Sequence, residues 1–320
     1  MMLQFILRQV IFLRVKMNQI FKIADLFCGV GGLSLGFQKA GLEINLAIDN
    51  WSDAIDVYSK NFSHQCLNYD LSKVNEVVKL LKSCDTNVII GGPPCQDFSH
   101  AGKRIEGDRA DLTESFAKII KDAKPIFFVM ENVERTKSSK SYLKARAIYK
   151  SAGYGLTEVV LDASLCGVPQ KRKRFFCIGM LGMQDEILLP IINSKLAKSP
   201  MTMRQYFKNT LGTDFYYRHP RNYSRRAVYS LDEPSATIRG VNRPIPPGYT
   251  EHSADAGDIS LARPLTTTER SQVQTFPKSF KWDGSKTNVE QMIGNAVPVN
   301  LGKFVAECIL FFMTQNNKSS

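Results

Sequence analysis

Gly91-Gly-Pro-Pro-Cys95-Gln-Asp-Phe-Ser99 ends a short apolar run and sets a thiol behind two prolines. Prolines fix the backbone of a turn, so the segment displays Cys95 in one orientation and makes poor core material. A cysteine attacks as its thiolate, and a nearby Arg or Lys would lower its pKa for that purpose. The alternative is a buried cysteine in a tight turn. Glu131-Asn132-Val133 closes another apolar run, which would turn the carboxyl toward the same crevice as Cys95; taken alone it would equally cap a following helix. Gln170-Lys171-Arg172-Lys173-Arg174 leads into a third run. Strand alternation sends Gln170, Arg172 and Arg174 to one face and the two lysines to the other. Three long polar groups on one face suit an anion or a polar ring, where a bare basic run would be a solvated edge.

A second constellation is built to hold a ligand. Asp25-Leu-Phe-Cys-Gly-Val-Gly-Gly32 joins a strand to a helix, and its glycines let a ligand approach the backbone. A nicotinamide site would look much the same. Asp49 ends the next strand at the distance expected of an acid that binds ribose hydroxyls. Asp70 follows the third apolar segment and would accept from an adenine amino group. Each acid alone is a cap or a turn residue; together they outline a nucleoside pocket.

The elements that must position these groups are legible as apolar runs at 21–27, 44–50, 87–92, 125–133, 155–161 and 174–180. Helical periodicity lies between them at 32–40, 52–62, 72–82, 112–122 and 138–151. That alternation predicts an α/β fold, a doubly wound and mostly parallel sheet that binds ligands at the carboxyl ends of its strands. Residues 184–262 carry scattered Pro, Gly, Tyr and Arg without a period, as in a small irregular domain, and 298–313 read as a buried closing helix. The expected organisation is a catalytic and cofactor-binding domain over 17–183, a target-recognition domain over 184–262, a return to the catalytic domain over 263–314 and a polar tail over 315–320. A natural start at Met17 would leave 1–16 as a dispensable leader, since the first strand begins only near Phe21.

Composition narrows the class. With 320 residues, 43% of them hydrophobic, the chain can bury a large core. Of its net charge of +12, the whole excess lies in 134–226, which hold 18 Lys and Arg against 6 Asp and Glu; the remainder balances at 24 against 24. A local excess of that kind suits a phosphate backbone, or a basic solvated face. The seven cysteines (28, 66, 84, 95, 166, 177, 308) form no CxxC pair, which argues against structural zinc and a disulfide scaffold; no metal is expected. No uninterrupted apolar run approaches the ~18 residues that span a bilayer, so the expectation is a cytoplasmic protein without membrane contact.

Taken in order, PPCQxFS, ENV and QxRxR resemble the cytosine-C5 DNA methyltransferases of restriction–modification systems. The likeness covers about 21–180 and 263–313, where Arg263-Pro-Leu-Thr-Thr-Thr-Glu269 with Gln274-Thr-Phe-Pro277 is similar to the family's ninth motif and Gln291-Met-Ile-Gly-Asn295-Ala-Val-Pro298 to its tenth. The resemblance implies S-adenosylmethionine as cofactor and double-stranded DNA as partner. It also implies a monomer, with a cognate restriction endonuclease. Phe27 would stack on adenine, Gly29, Val30 and Gly32 would pass the methionine part, and Asp49 would hold the ribose where the family often has Glu. Asn50 takes a place commonly aromatic. Asp70 and Leu71 would contact adenine, with Pro94 and Asn295 lining the remaining wall.

The same resemblance makes Cys95 the nucleophile toward C6 of cytosine and Glu131 the partner of N3 and the exocyclic amine. Arg172 and Arg174 would position the pyrimidine, and Gln96 and Ser99 would belong to a loop closing over DNA. Arg109 and Leu112 fit the Asp-x-Arg-x-x-Leu pattern that follows, but Gly107 replaces its Asp and Asp108 stands beside the gap. Gln170 would contact DNA, and Thr237 with Ile238 would support the flipped site; Arg239 and Arg243 would read guanine, contact phosphate or lie on the surface. Three other readings stay open. A transfer-RNA cytosine-C5 methyltransferase would carry Cys-Phe-Thr and a Thr in place of Ser99, and no cysteine lies between 178 and 307. A catalytically silent DNA-binding regulator would be expected to lose Cys95 or Glu131, and a dinucleotide dehydrogenase leaves PPCQ unexplained.

Overall fold

The computed structural model describes residues 21–94, 111–220, 222 and 225–316. The chain forms two compact units: one runs to Leu161 and takes in Lys173–Lys195 and the chain from Gly302, and the other is Asp162–Arg172 with Leu196–Leu301. Residues 184–195 of the recognition segment thus belong to the first unit and 196–262 to the second, which also holds 263–301.

Strands β1 (Ile23–Leu26), β2 (Ile44–Asp49), β3 (Gln65–Asn68), β4 (Val88–Gly91), β5 (Phe127–Val133) and β6 (Tyr154–Asp162) alternate with helices. After the short β7 (Gln170–Lys171) of the second unit comes β8 (Lys173–Leu181). Seven of them form one sheet in the order β3-β2-β1-β4-β5-β8-β6. Pairs β1–β2, β2–β3, β1–β4 and β4–β5 are parallel, and β8 runs antiparallel to β5. Every residue of β1 and β4 is buried, which is why these strands read as unbroken apolar runs: a parallel sheet has helices on both faces.

The five expected helices form at Gly32–Ala40, Ser52–Ser59, Val74–Ser83, Leu112–Ala123 and Lys140–Ser151. Asp111 and Ser139 cap the last two through backbone N–H groups of their first turns. β3 was not among the expected strands. Its four residues, Gln-Cys-Leu-Asn, have exposed ends on a sheet edge and show no apolar run.

The second unit has its own core of Met203, Phe207, Tyr216, Leu231, Ile238, Leu265, Val273 and Ile293. Around it lie β9 (Phe215–Tyr217), β10 (Val228–Ser230) and β12 (Ala262–Pro264) in one small sheet, while β11 (Ser235–Ala236) pairs with β7. Near the C-terminus the helix Val299–Asn316 follows Lys286–Asn295. By length and a mean hydropathy of 1.6 this stretch is apolar enough to cross a bilayer, against the expectation from uninterrupted runs. Leu301, Val305, Ala306, Cys308 and Ile309 are buried, as in a core helix.

Packing between β5 and β8 is close enough to require a glycine. A Cβ on Gly179 would lie 2.0 Å from the ring of Phe128, and overpacking of that kind costs about 1–3 kcal/mol. Gly179→Ala is expected to lower stability by that order, read as a shift of the urea midpoint at unchanged slope.

Candidate active site

At the carboxyl end of β1 the chain turns through three left-handed residues, Phe27 at φ 59°, Gly29 at φ 52° and Gly31 at φ 85°. The two glycines serve different ends. A Cβ on Gly31 would strike Phe62 at 2.5 Å and Tyr58 at 2.7 Å, whereas one on Gly29 would meet nothing within 4 Å. Gly31 is a packing requirement, and Gly29 leaves a face of backbone open to a ligand. Val30 is buried, and Gly32 begins the helix Gly32–Ala40.

Asp49, at the end of β2, closes over this turn. Its Oδ2 accepts from the Gly29 N–H at 2.7 Å, and its Oδ1 from Asn50 and Trp51 N–H at 2.8 and 2.9 Å. About one of a carboxylate's four acceptor sites is then left for a hydroxyl. Asn50 is exposed; Asp70 is exposed beside buried Leu71. Asp70 accepts from the Ser72 N–H at 2.9 Å, and this backbone hydrogen bond holds its carboxyl below the usual range.

Beneath the turn runs a polar chain that the sequence did not announce. Asp25 is 1% exposed and bonds to Ser34 Oγ at 2.5 Å; Ser34 joins the Tyr58 hydroxyl at 2.8 Å, which reaches His64 Nε2 at 2.6 Å. Burial pushes the Asp25 carboxyl up to about 7, and burial lowers His64. The four residues come from four segments, so no local spacing could have revealed them.

The ends of β4 and β5 make the second half of the site. A Cβ on Gly92 would sit 3.2 Å from Glu131 Oε2, so the glycine makes room for that carboxylate. Asn132 donates its side-chain N–H to the Pro93 carbonyl at 2.7 Å and accepts from the Val133 N–H at 2.8 Å. The middle residue of Glu-Asn-Val therefore ties down the strand that leads to the cysteine, with exposed Pro94 the last residue described before it. Cys95, Gln96, Ser99 and Arg109 lie outside the described residues.

Glu131 caps no helix. In the β5–β8 register Val133 faces Arg174, which puts Glu131 diagonally across from that arginine on one face. Arg174 Nε lies 2.9 Å from Glu131 Oε1, and the two side chains are only 14% and 11% exposed. Burial lowers the guanidinium pKa, and the charge and hydrogen bond of Glu131 oppose the shift.

Alternation through Gln170–Arg174 holds as expected, with the lysines exposed. Arg172, however, does not present itself as a group for a ring. It is 1% exposed and donates to the carbonyls of Ile238 at 3.0 Å, Gly294 at 2.9 Å and Ala296 at 3.2 Å. It is a brace, because backbone dipoles meet its charge. Gln170 accepts from the Ile238 N–H and donates to Gln274, whose amide reaches the Ile293 carbonyl at 2.6 Å. Thr237 Oγ1 donates to the Lys171 carbonyl at 2.8 Å. Asn295 is exposed and accepts from Gln291 at 2.8 Å. Within the basic stretch some cations are paired with its own few acids, as in Arg146–Glu158, Lys150–Asp185 and Arg204–Asp214, which leaves the excess itself unneutralised by these pairs. Among the described residues no cluster of three or more His, Cys, Asp or Glu is placed to hold a metal ion.

Residues 21–310 match the family model of C-5 cytosine-specific DNA methylases. The chain is 56% identical over 294 residues to the type II methyltransferase M.HindV of Haemophilus influenzae, covering 91% of this chain and 97% of that protein. It is 55% identical to M.HgiDI of Herpetosiphon aurantiacus, over 92% of this chain and 96% of the other. Among solved structures, a putative DNA modification methyltransferase encoded within an Escherichia coli prophage superposes with a TM-score of 0.68 at 21% identity, over 92% of this chain and 99% of that one. The S. pombe Dnmt2 methyltransferase follows the same fold, with a TM-score of 0.67 at 19% identity over 93% and 99%.

Two outcomes follow from this geometry. Asn132→Ala strands the buried Pro93 carbonyl at a cost of about 1–3 kcal/mol; turnover should fall at least about tenfold, with cofactor affinity unchanged by calorimetry. Asp25 is a raised acid: the unfolded chain ionises from its ordinary 3.8 while the folded carboxyl waits until about 7. Native protein therefore binds the extra proton between those values, and stability contributed by the neutral form is lost as pH rises across that window. Asp25→Asn, neutral throughout, should match the wild type near pH 4 and exceed it increasingly up to pH 7, as measured by denaturant midpoints.

Proposed function

Because the chain belongs to the C-5 cytosine-specific DNA methylase family, we propose that it moves the methyl group of S-adenosylmethionine to C5 of a cytosine extruded from a short double-stranded site, through a transient bond between Cys95 and C6. The chain is a DNA (cytosine-5) methyltransferase of the restriction–modification type. The reading extends to a monomer acting in the cytoplasm and protecting DNA from a cognate endonuclease.

The residues around the Gly29 turn fit the cofactor. Gly29 offers open backbone, Asp49 is held in place with acceptor capacity for ribose, and Asp70 is exposed and so available to an adenine amino group, beside buried Leu71. When bound, the cofactor supplies an electrophilic methyl group on sulfur.

On the protein's side, cytosine C5 is too weak a nucleophile while the ring is aromatic. Addition of the Cys95 thiolate to C6 breaks that aromaticity and makes C5 enamine-like. Glu131 accepts from the exocyclic amine and, carrying a proton once the base is bound, donates it to N3 as the thiolate adds and takes it back as the thiolate leaves, which keeps negative charge from accumulating on the ring. Arg174 takes Glu131 Oε1, which orients the carboxylate, and Oε2 borders Gly92, three residues before Cys95 in the chain. After methyl transfer, loss of the C5 proton to a bound water restores the double bond and releases the thiolate. Extrusion of the base costs a few kcal/mol, which phosphate contacts from the 134–226 excess help to offset. The observation that carries the reading is this pairing of a fixed carboxylate with an anchored Pro93, two residues before Cys95 in the chain.

Cys95→Ser is expected to abolish methylation of duplex DNA and spare cofactor binding; full activity in the variant would refute the mechanism. Sequencing of methylated bases in a host expressing the wild type, beside an assay on transfer RNA, tests the substrate. Affinity for DNA should drop by about three orders of magnitude between 50 and 200 mM salt if some six phosphates are contacted.

A further inference from the structure

The second unit contains a cleft whose floor is Tyr216, Ile238 and Leu265 and whose walls carry Arg218, His219, Arg239, Arg243 and Arg270. Most of these cations are already committed. Arg218 donates to the Thr237 carbonyl at 2.9 Å, Arg239 to the His219 carbonyl, and Arg270 pairs with Glu290 at 2.6 Å while donating to the Arg239 carbonyl. Arg243 differs: it is exposed, and among the described residues no hydrogen bond or ion pair ties it.

Its surroundings are stiff. Asn242 beside it donates to the Leu265 carbonyl at 2.9 Å and to Glu290 at 3.3 Å. Pro244 follows and holds the Arg243 backbone extended, with Pro246 and Pro247 beyond. Farther along, Asp255 accepts from the N–H groups of Ala227, Val228 and His252 and from the Tyr249 hydroxyl, which pins the end of this segment. A fixed backbone spares the cost of ordering a loop on binding, so that only the rotamers of the arginine side chain remain to be ordered.

The cleft also favours a base edge over a phosphate. Among the described residues no carboxylate lines it, so acceptors are what it can take. Tyr217 orients the His219 ring through a 3.1 Å hydrogen bond to Nδ1, and burial with the charges of Arg243 and Arg239 lowers that imidazole below its ordinary range. Val241, on the rim, is 50% exposed, an apolar contact that a phosphate does not need and a base edge uses.

We infer that Arg243 is the specificity-determining residue of this cleft and reads the paired acceptors N7 and O6 of a guanine in the major groove of the recognition site. Arg239, whose guanidinium is turned to the His219 carbonyl, shapes the cleft. This assignment rests on the reading of the chain as a DNA methyltransferase. Wild-type enzyme that methylates no DNA would defeat that reading. Wild-type enzyme that methylates a defined sequence allows Arg243 to be tested by itself.

The test is steady-state methylation of duplexes in which each guanine of the methylated sequence is replaced in turn by 7-deazaguanine, which lacks the N7 acceptor. One replacement should lower kcat/KM of the wild type about 10- to 100-fold. Arg243→Ala should show a similar loss on the unmodified duplex and no further loss with that replacement. Arg243→Lys, which keeps the charge without the fork, should recover only part of the activity. Thermal midpoints of both variants within about 2 °C of wild type would show intact folding, as expected for an untied surface side chain. The inference is overturned if Arg243→Ala retains the 7-deazaguanine penalty, or if it weakens binding equally for all sequences with a salt slope smaller by about one, the signature of a phosphate contact.

Discussion

A carboxylate can stay ionised away from water only where a cation or several donors meet it, and Glu131 is met by Arg174 across one strand pairing. Much of the sheet's design serves this juxtaposition. Parallel strands β1, β4 and β5 bring their carboxyl ends to one edge, and the antiparallel β8 delivers an arginine to the same edge at its amino end. An all-parallel sheet would have placed that residue at the opposite rim. The price is an arginine in desolvated surroundings, offset by the charge it faces.

Two arginines two residues apart do opposite things. Arg174 is matched to an acid, and Arg172 is surrounded by peptide carbonyls. Pattern alone could not separate them: alternation gives the face, whereas the partners, Glu131 for one and Ile238, Gly294 and Ala296 for the other, lie far along the chain. Glycines at 29, 31 and 92 divide in the same manner. All three look like freedom in the sequence, yet one exposes backbone, one avoids two aromatic rings and one clears a carboxylate.

What the sequence revealed was whatever is local or periodic. Six apolar runs correspond to strands of the main sheet and five periodic stretches to its helices, because burial on both faces writes an unbroken signal. β3 was illegible since an edge of four mixed residues writes none. Glu131, Asp49 and the glycine turn were legible because each ends a strand, where a doubly wound sheet keeps its ligands. The Asp25–Ser34–Tyr58–His64 chain was not, nor was Asn132's hold on Pro93, as both join segments that only folding brings together.

Gln170 and Arg172 hold position 238 entirely by its main chain, one by the N–H and the other by the carbonyl. A grip of this kind is indifferent to the side chains that follow. On the neighbouring cleft wall, exposed Val241 and Arg243 are thus at liberty to vary while their scaffold keeps its shape, whereas Arg218 and Arg270 remain bound into that scaffold.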